Sequence, residues 1–240
     1  MTDPIVSYSA APFNGPQNGQ SLLVDGVTAV PYEGVWLPAS FYKAATLEVG
    51  GSISTLSLQL YGTNALEQPL NTVTVTVGGS KTTGDVLNIE VINQNLSNGN
   101  VTVSYTVLSG DSINSTAAAL AALINANAGL QTLGLSAIAV GGVITITFPS
   151  APSNLANNPS LGSPSAPLTQ NQCAFVLTKS GGASETLTLA NGTDGTVLGS
   201  AITALGLTAV SPLPVRWIKA RVTTLTGGGA NVSAALAGTA

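Results

Sequence analysis

Histidine is absent from the 240 residues. Its absence removes the Ser-His-Asp arrangement, a histidine-activated thiol and every histidine-bearing metal site together. Cysteine occurs once, at Cys173, so no intrachain disulfide can form and nothing argues for an oxidising compartment. That thiol sits in the apolar run QCAFVL, where an inert buried side chain fits better than a nucleophile. Charge is also scarce. Asp, Glu, Lys and Arg make up 7% of the chain, against about a quarter in ordinary globular domains, so solubility rests on Thr, Ser, Asn and Gln. The ten acids and six bases are scattered singly and leave a net charge of −4. No basic patch interleaved with aromatics tracks a phosphate backbone, which excludes nucleic acid as the expected partner. No apolar run reaches the roughly 18 residues of a membrane span. The opening stretch MTDPIVSYSAAPFNGPQ has neither the basic start nor the apolar core of a signal peptide.

The excess of Thr, Val, Gly and Ala favours strands and tight turns over surface helices. One stretch organises the rest. From Val101 to Val107, Val101, Val103, Tyr105 and Val107 alternate with Thr102, Ser104 and Thr106, the period of a strand with one buried face. After Ser109-Gly110, Asp111 or Ser112 serves as N-cap of a helix in which Ile113, Ala117, Leu120 and Ile124 form one apolar stripe. The helix is expected to end near Ala128, with Gly129 as its left-handed closing residue, and Val143 to Phe148 to form the next strand. A short Ala-rich helix without charges is marginal alone and needs a sheet beneath it, for which Val73 to Val77 and Val86 to Ile92 are the candidates.

Elsewhere the glycine pairs punctuate alternating runs. Ala45 to Val49 and Leu56 to Tyr61 flank Gly50-Gly51, Ala174 to Thr178 and Glu185 to Leu189 flank Gly181-Gly182, and Val215 to Leu225 and Ala230 to Ala237 flank Gly227-Gly228-Gly229. Each pair is expected to be a hairpin. Residues 1–20 are expected to be an irregular arm, and the proline-rich 149–171 a long surface loop. The run VRWIKARVTTLTGGGANVSAALA resembles the closing hairpin of small β-sandwich modules in tailed-phage virion proteins, and ATLEVGGSISTLSLQLYGTNA resembles an earlier hairpin of the same modules. Between them, Gly84-Asp85, Tyr105 to Val107, Gly110 to Ser112 and Ile124 to Ala128 resemble the turn, entry strand, cap and helix end of a second module of phage structural proteins. The expected fold is therefore mainly β, sandwich- or jelly-roll-like, with an inserted small α+β domain that contains one Ala-rich helix. Residues 21–70 and 206–240 would form the sandwich and 71–205 the insert, since insertion is best tolerated in a loop. Two consecutive domains cut in the proline-rich loop are the alternative.

Few motifs carry chemistry. Gly79-Ser80-Lys81-Thr82 has the end of a phosphate-binding loop without its glycine before the lysine, and a hairpin turn explains it. Asn191 to Gly195, NGTDG, holds a single carboxylate, too few for a hard cation. Nothing marks a pair among the acids for sugar hydrolysis, and Asp25, Asp85, Asp111 and Asp194 all stand beside glycine or at a helix cap. No catalytic residue, cofactor or metal is expected. Arg216, Lys219 and Arg221 form the only basic cluster; on a strand Lys219 and Arg221 share a face and Arg216 does not, giving a solvated edge or a contact to an acidic subunit. Trp36, Trp217 and the tyrosines, Tyr42 among them, are the side chains able to anchor an interface or stack on sugar rings. The resemblances imply a non-enzymatic virion component, a capsid decoration or fibre protein, partnered by copies of itself and by other virion proteins. A tail-tube, tail-tip or baseplate component and a host-adhesion module that binds a surface glycan are the other readings.

Overall fold

A computed structural model describes residues 20–28, 30–39, 44–149, 153–156, 173–182, 184–210 and 215–239. In chain order these form β1 (Gln20–Val27), β2 (Tyr32–Glu33), β3 (Leu37–Pro38), β4 (Ala44–Ser52), β5 (Thr55–Thr63), β6 (Asn71–Gly79), β7 (Val86–Ile92) and β8 (Asn100–Thr106). Helices α1 (Ile113–Ala126) and α2 (Ala128–Thr132) follow, then β9 (Ser136–Val140), β10 (Val143–Phe148), β11 (Ser153–Ala156), β12 (Cys173–Ser180) and β13 (Glu185–Asn191). The chain closes with β14 (Thr196–Ile202), β15 (Gly206–Val210), β16 (Trp217–Thr226) and β17 (Asn231–Thr239). The expected arm lies outside the described residues but for Gln20, and so do Tyr42 and most of the proline-rich stretch. Within that stretch, 153–156 is not loop: β11 runs parallel to β12, pairing Ser153 with Cys173 and Leu155 with Phe175.

The fold is mainly β, with an inserted α+β domain. One compact unit comprises the residues up to Pro69 and those from Gly195 onward, and the other is Leu70–Asp194. Residues 195–205 belong with the discontinuous unit because β14 is hydrogen-bonded to β5, pairing Val197 with Tyr61 and Leu198 with Leu60.

The discontinuous unit is a sandwich. One sheet has the order β1-β17-β4-β15, and the other places β14, β5 and β16 side by side with the short β2 and β3 on the far side of β16. Alternate residues of both sheets point inward: Leu47 and Val49 from β4, Leu56, Leu58 and Leu60 from β5, Ile218, Ala220 and Val222 from β16, and Val232, Ala234 and Leu236 from β17 are all buried in one cluster. The inserted unit repeats the plan with sheets β13-β6-β10-β9 and β11-β12-β7-β8. Val73, Val75 and Val77 of β6 face Leu87, Ile89 and Val91 of β7 across the interior, with Phe148 and Phe175 in contact at 5.6 Å between ring centroids.

β6 and β7 therefore stand in opposite sheets rather than forming one sheet under the helix. Helix α1 packs on β8 and β9, the neighbouring edges of the two sheets, and on β6 and β10. Ala117, Leu120, Ala121 and Ile124 enter the core, while Ile113 is half-buried. Of the two cap candidates, Ser112 takes the role: its hydroxyl accepts from Ser115 N at 3.1 Å and Ser115 Oγ accepts from Ser112 N at 2.8 Å. Gly129 does not close α1. Asn127 does so in an extended conformation and caps α2 through Leu130 N at 3.1 Å, and Gly129 lies inside that second helix. The left-handed residue is Gly134, φ 76°, past the end of α2.

The three glycine-flanked strand pairs are not hairpins. β4 and β5, β12 and β13, and β16 and β17 each fall in different sheets, so the turn carries the chain across the core as an arch. The true hairpins are β7–β8, with Ile92 opposite Asn100, and β9–β10, with Val140 opposite Val143.

Candidate functional site

Lys219 and Arg221 of the basic cluster read from the sequence lie on β16, an interior strand of its sheet, and Arg216 immediately precedes it. Because β16 sends Ile218, Ala220 and Val222 into the sandwich, the alternation turns Lys219 and Arg221 to the opposite face. That face is not solvated. Lys219 is 0% exposed and Arg221 1%, which corrects the expectation of a solvated edge: both faces of the strand are covered.

A cation is buried only with a partner in place, and register supplies it. On one side Glu33 of β2 stands opposite Arg221; on the other, Tyr61 of β5 stands opposite Lys219. The Glu33 carboxylate is shared. Lys219 Nζ donates to Oε2 at 2.8 Å, and Arg221 Nε lies 2.8 Å from Oε1 and 2.9 Å from Oε2. Two rings complete the enclosure, with Lys219 Nζ 4.8 Å from the centroid of Trp36 and the Arg221 guanidinium carbon 3.9 Å from that of Tyr61. Trp36 is fully buried, its carbonyl accepting from Gln68 Nε2 at 2.8 Å. Gly195, read in the sequence as a turn residue, has a second reason to lack a side chain: a Cβ there would stand 2.6 Å from Trp36 Cη2.

The cluster thus unites Lys219, Arg221 and Trp36 with Tyr61, one of the tyrosines grouped with the candidate stacking residues, and with Glu33, which no sequence feature singles out. A glutamate within PYEG has no motif around it, and only the register of β2 on β16 shows its role. Arg216 and Trp217 stand apart. Arg216 is exposed, its main-chain N donating to Thr63 O at 3.0 Å, and Trp217 is half-buried with Nε1 donating to Ala65 O at 3.1 Å. Chemically, the cluster locks a short strand to a long one in a low-dielectric setting. The carboxylate is engaged by both cations, and the Trp36 indole, a candidate for stacking on a sugar, is enclosed.

In the inserted unit Asp111 and Cys173 are also engaged. Asp111 accepts from Leu108 N at 2.7 Å and from the Tyr105 hydroxyl at 2.8 Å, which holds its carboxyl below the usual range and the Tyr105 phenol above its own. Burial pushes the Cys173 thiol up, opposed by Asn93 Nδ2 donating to Sγ at 3.3 Å. Among the described residues no group of three or more Cys, Asp or Glu is placed to hold a metal ion. Compared with known protein families, characterised proteins and solved structures, the chain matches none.

Proposed function

We propose that the chain is a non-enzymatic structural component of a tailed-phage particle, a capsid decoration or fibre protein assembled through β-sandwich contacts. The observation that carries this reading is the outer border of the sandwich unit. β14 and β15 are each an edge strand, one in each of its two sheets, and residues 196–210 contain no charged residue and no proline. Val197, Leu205 and Leu207 are exposed there. Edges of solitary proteins are ordinarily blunted by lysine, proline or inward charge, and an unguarded edge is a surface on which another chain pairs.

The distribution of charge supports the same reading. Among the described residues Glu33, Asp85, Glu185, Lys219 and Arg221 are buried, so at least five of the sixteen charged side chains are withdrawn from an already sparse surface. Such a surface loses little by desolvation when it meets a neighbour. The resemblance of the two outer segments and of the inserted segment to virion modules names the assembly. A glycan-adhesion role would rest on Trp217, since Trp36 is enclosed.

Cryo-EM of intact particles, with this chain traced in density, is the deciding experiment. Repeated copies on the head or in a fibre are expected. Density on the tail would favour the tail-tube or baseplate reading, and a chain that stays monomeric and does not co-purify with particles would overturn the proposal.

A further inference from the structure

The inserted unit holds two buried carboxylates that no sequence motif connects, Asp85 and Glu185, 3% and 1% exposed. Strand register brings them together. The β6–β13 ladder ends with Gly79 opposite Glu185, and the β7–β12 ladder ends with Val86 opposite Ser180. The stretches that follow, residues 80–85 on one side and Gly181, Gly182 and Ser184 on the other, therefore lie side by side at one end of the unit. Ser80 N donates to Ser184 O at 2.9 Å across them.

Both residues meet at Thr82, Glu185 through its carboxylate and Asp85 through its main-chain amide. Thr82 N donates to Glu185 Oε1, and Thr82 O accepts from Asp85 N at 3.3 Å. Asp85 Oδ1 accepts from Gly182 N at 2.6 Å. Gly181 and Gly182 are bare for this reason. At φ 109° a Cβ on Gly181 would stand 2.2 Å from Asp85 Oδ1, and one on Gly182 would stand 3.2 Å from Thr82 Cγ2 and 3.3 Å from Asp85 Oδ2. Each carboxylate thus has one oxygen on a main-chain amide. The other oxygen of each, Asp85 Oδ2 and Glu185 Oε2, is buried and receives no hydrogen bond. A buried carboxylate oxygen without a donor keeps its full desolvation cost, and a cation is the partner that relieves it. Lys179 does not supply one, because its ammonium donates to the Glu185 carbonyl instead.

We infer that Asp85 Oδ2 and Glu185 Oε2 are ligands of a calcium ion that ties the two stretches together. Calcium suits the site because it takes oxygen ligands in irregular geometry and completes its shell with carbonyls, hydroxyls and water. Magnesium, which demands a near-ideal octahedron, suits it less. With two carboxylates and a lysine nearby, the affinity belongs in the weak class, about 10⁻⁴–10⁻³ M.

The test uses the full chain after chelator treatment. Isothermal titration with CaCl2 is expected to show one site in that range, and about 10 mM CaCl2 to raise the unfolding temperature by about 3–8 °C, with a smaller effect from MgCl2. Asp85→Asn and Glu185→Gln are each expected to weaken calcium binding at least tenfold. If CaCl2 leaves both the titration and the unfolding temperature of the native sequence unchanged, the inference is wrong. That result does not depend on whether either variant folds. A rise in unfolding temperature of Asp85→Asn in chelator, without any calcium response in the native sequence, would show instead that the buried oxygen is relieved by an amide and not by a cation, and overturns it equally.

Discussion

Glu33 is the residue on which the sandwich unit's polar face depends. Two cations enclosed beneath Trp36 and Tyr61 share its carboxylate, and removing one member of a buried ion pair leaves the others with uncompensated desolvation. Glu33→Gln is expected to lower stability by about 3–5 kcal/mol in urea unfolding; a loss under about 1 kcal/mol would mean the cluster is effectively solvated. Asp111 gives the opposite case, an engaged but solvent-facing carboxylate. Its folded pKa is depressed chiefly by Leu108 N–H and then by the Tyr105 hydroxyl, so its contribution is present above the unfolded value of about 3.9 and is lost as pH falls through the folded value. The unfolding temperatures of the native sequence and Asp111→Asn should differ near neutral pH and converge in acid. At this scale the sequence was legible where chemistry is local. Asp111 beside a helix start and Cys173 in an apolar run could be read directly. Glu33, Tyr61, Asp85 and Glu185 could not, because each acquires its role from a strand distant in the chain.

Strands themselves were easy to locate and their partners were not. Alternation in LSLQL or TVTVTV fixes a buried face and nothing more. A hairpin puts the two apolar faces on the same side of one sheet, whereas an arch sets them opposite each other across the core, and the burial pattern is the same. The Gly50-Gly51, Gly181-Gly182 and Gly227-Gly228-Gly229 turns all took the second course. β9 shows a different limit. SAIAV is short and exposes Ile138 and Val140, and what fixes it as a strand is β10 on one side and α1 on the other. There the Asn125 amide donates to Ala137 O and accepts from Ala137 N, both at 2.7 Å. Helix α1, by contrast, was legible because its cap and stripe are internal to one segment. Its stability comes from the stripe more than from the cap. Leu120→Ala, in the core of the inserted unit, should cost about 2–5 kcal/mol, and Ser112→Ala about 1 kcal/mol. Equal losses in urea unfolding of the two variants would show that the helix is held by its end and not by its face.

The inserted unit enters and leaves its sheet at neighbouring positions: Val73 pairs with Asn191, and Gly192 N donates to Thr72 O at 3.1 Å. A segment whose ends already meet, and which encloses its own core, needs no outer chain to close it. Residues 70–194 expressed alone should therefore unfold in one cooperative transition; non-cooperative loss of its circular dichroism would contradict this. The proposed assembly belongs to the same scale and rests on where charge is missing. With residues 196–210 uncharged along both β14 and β15, contacts made there depend on main-chain pairing and apolar burial, neither of which salt screens. Oligomers seen in sedimentation should persist between about 50 mM and about 500 mM NaCl, whereas charge-mediated ones would dissociate over that range. Leu207→Lys sets a charge on β15, where the native side chain is 59% exposed and contributes little to the core. That single lysine should abolish oligomerisation while leaving the unfolding temperature of the dissociated chain unchanged, because it restores the guard that this edge lacks. Oligomers of undiminished size in Leu207→Lys would move the contact away from β15.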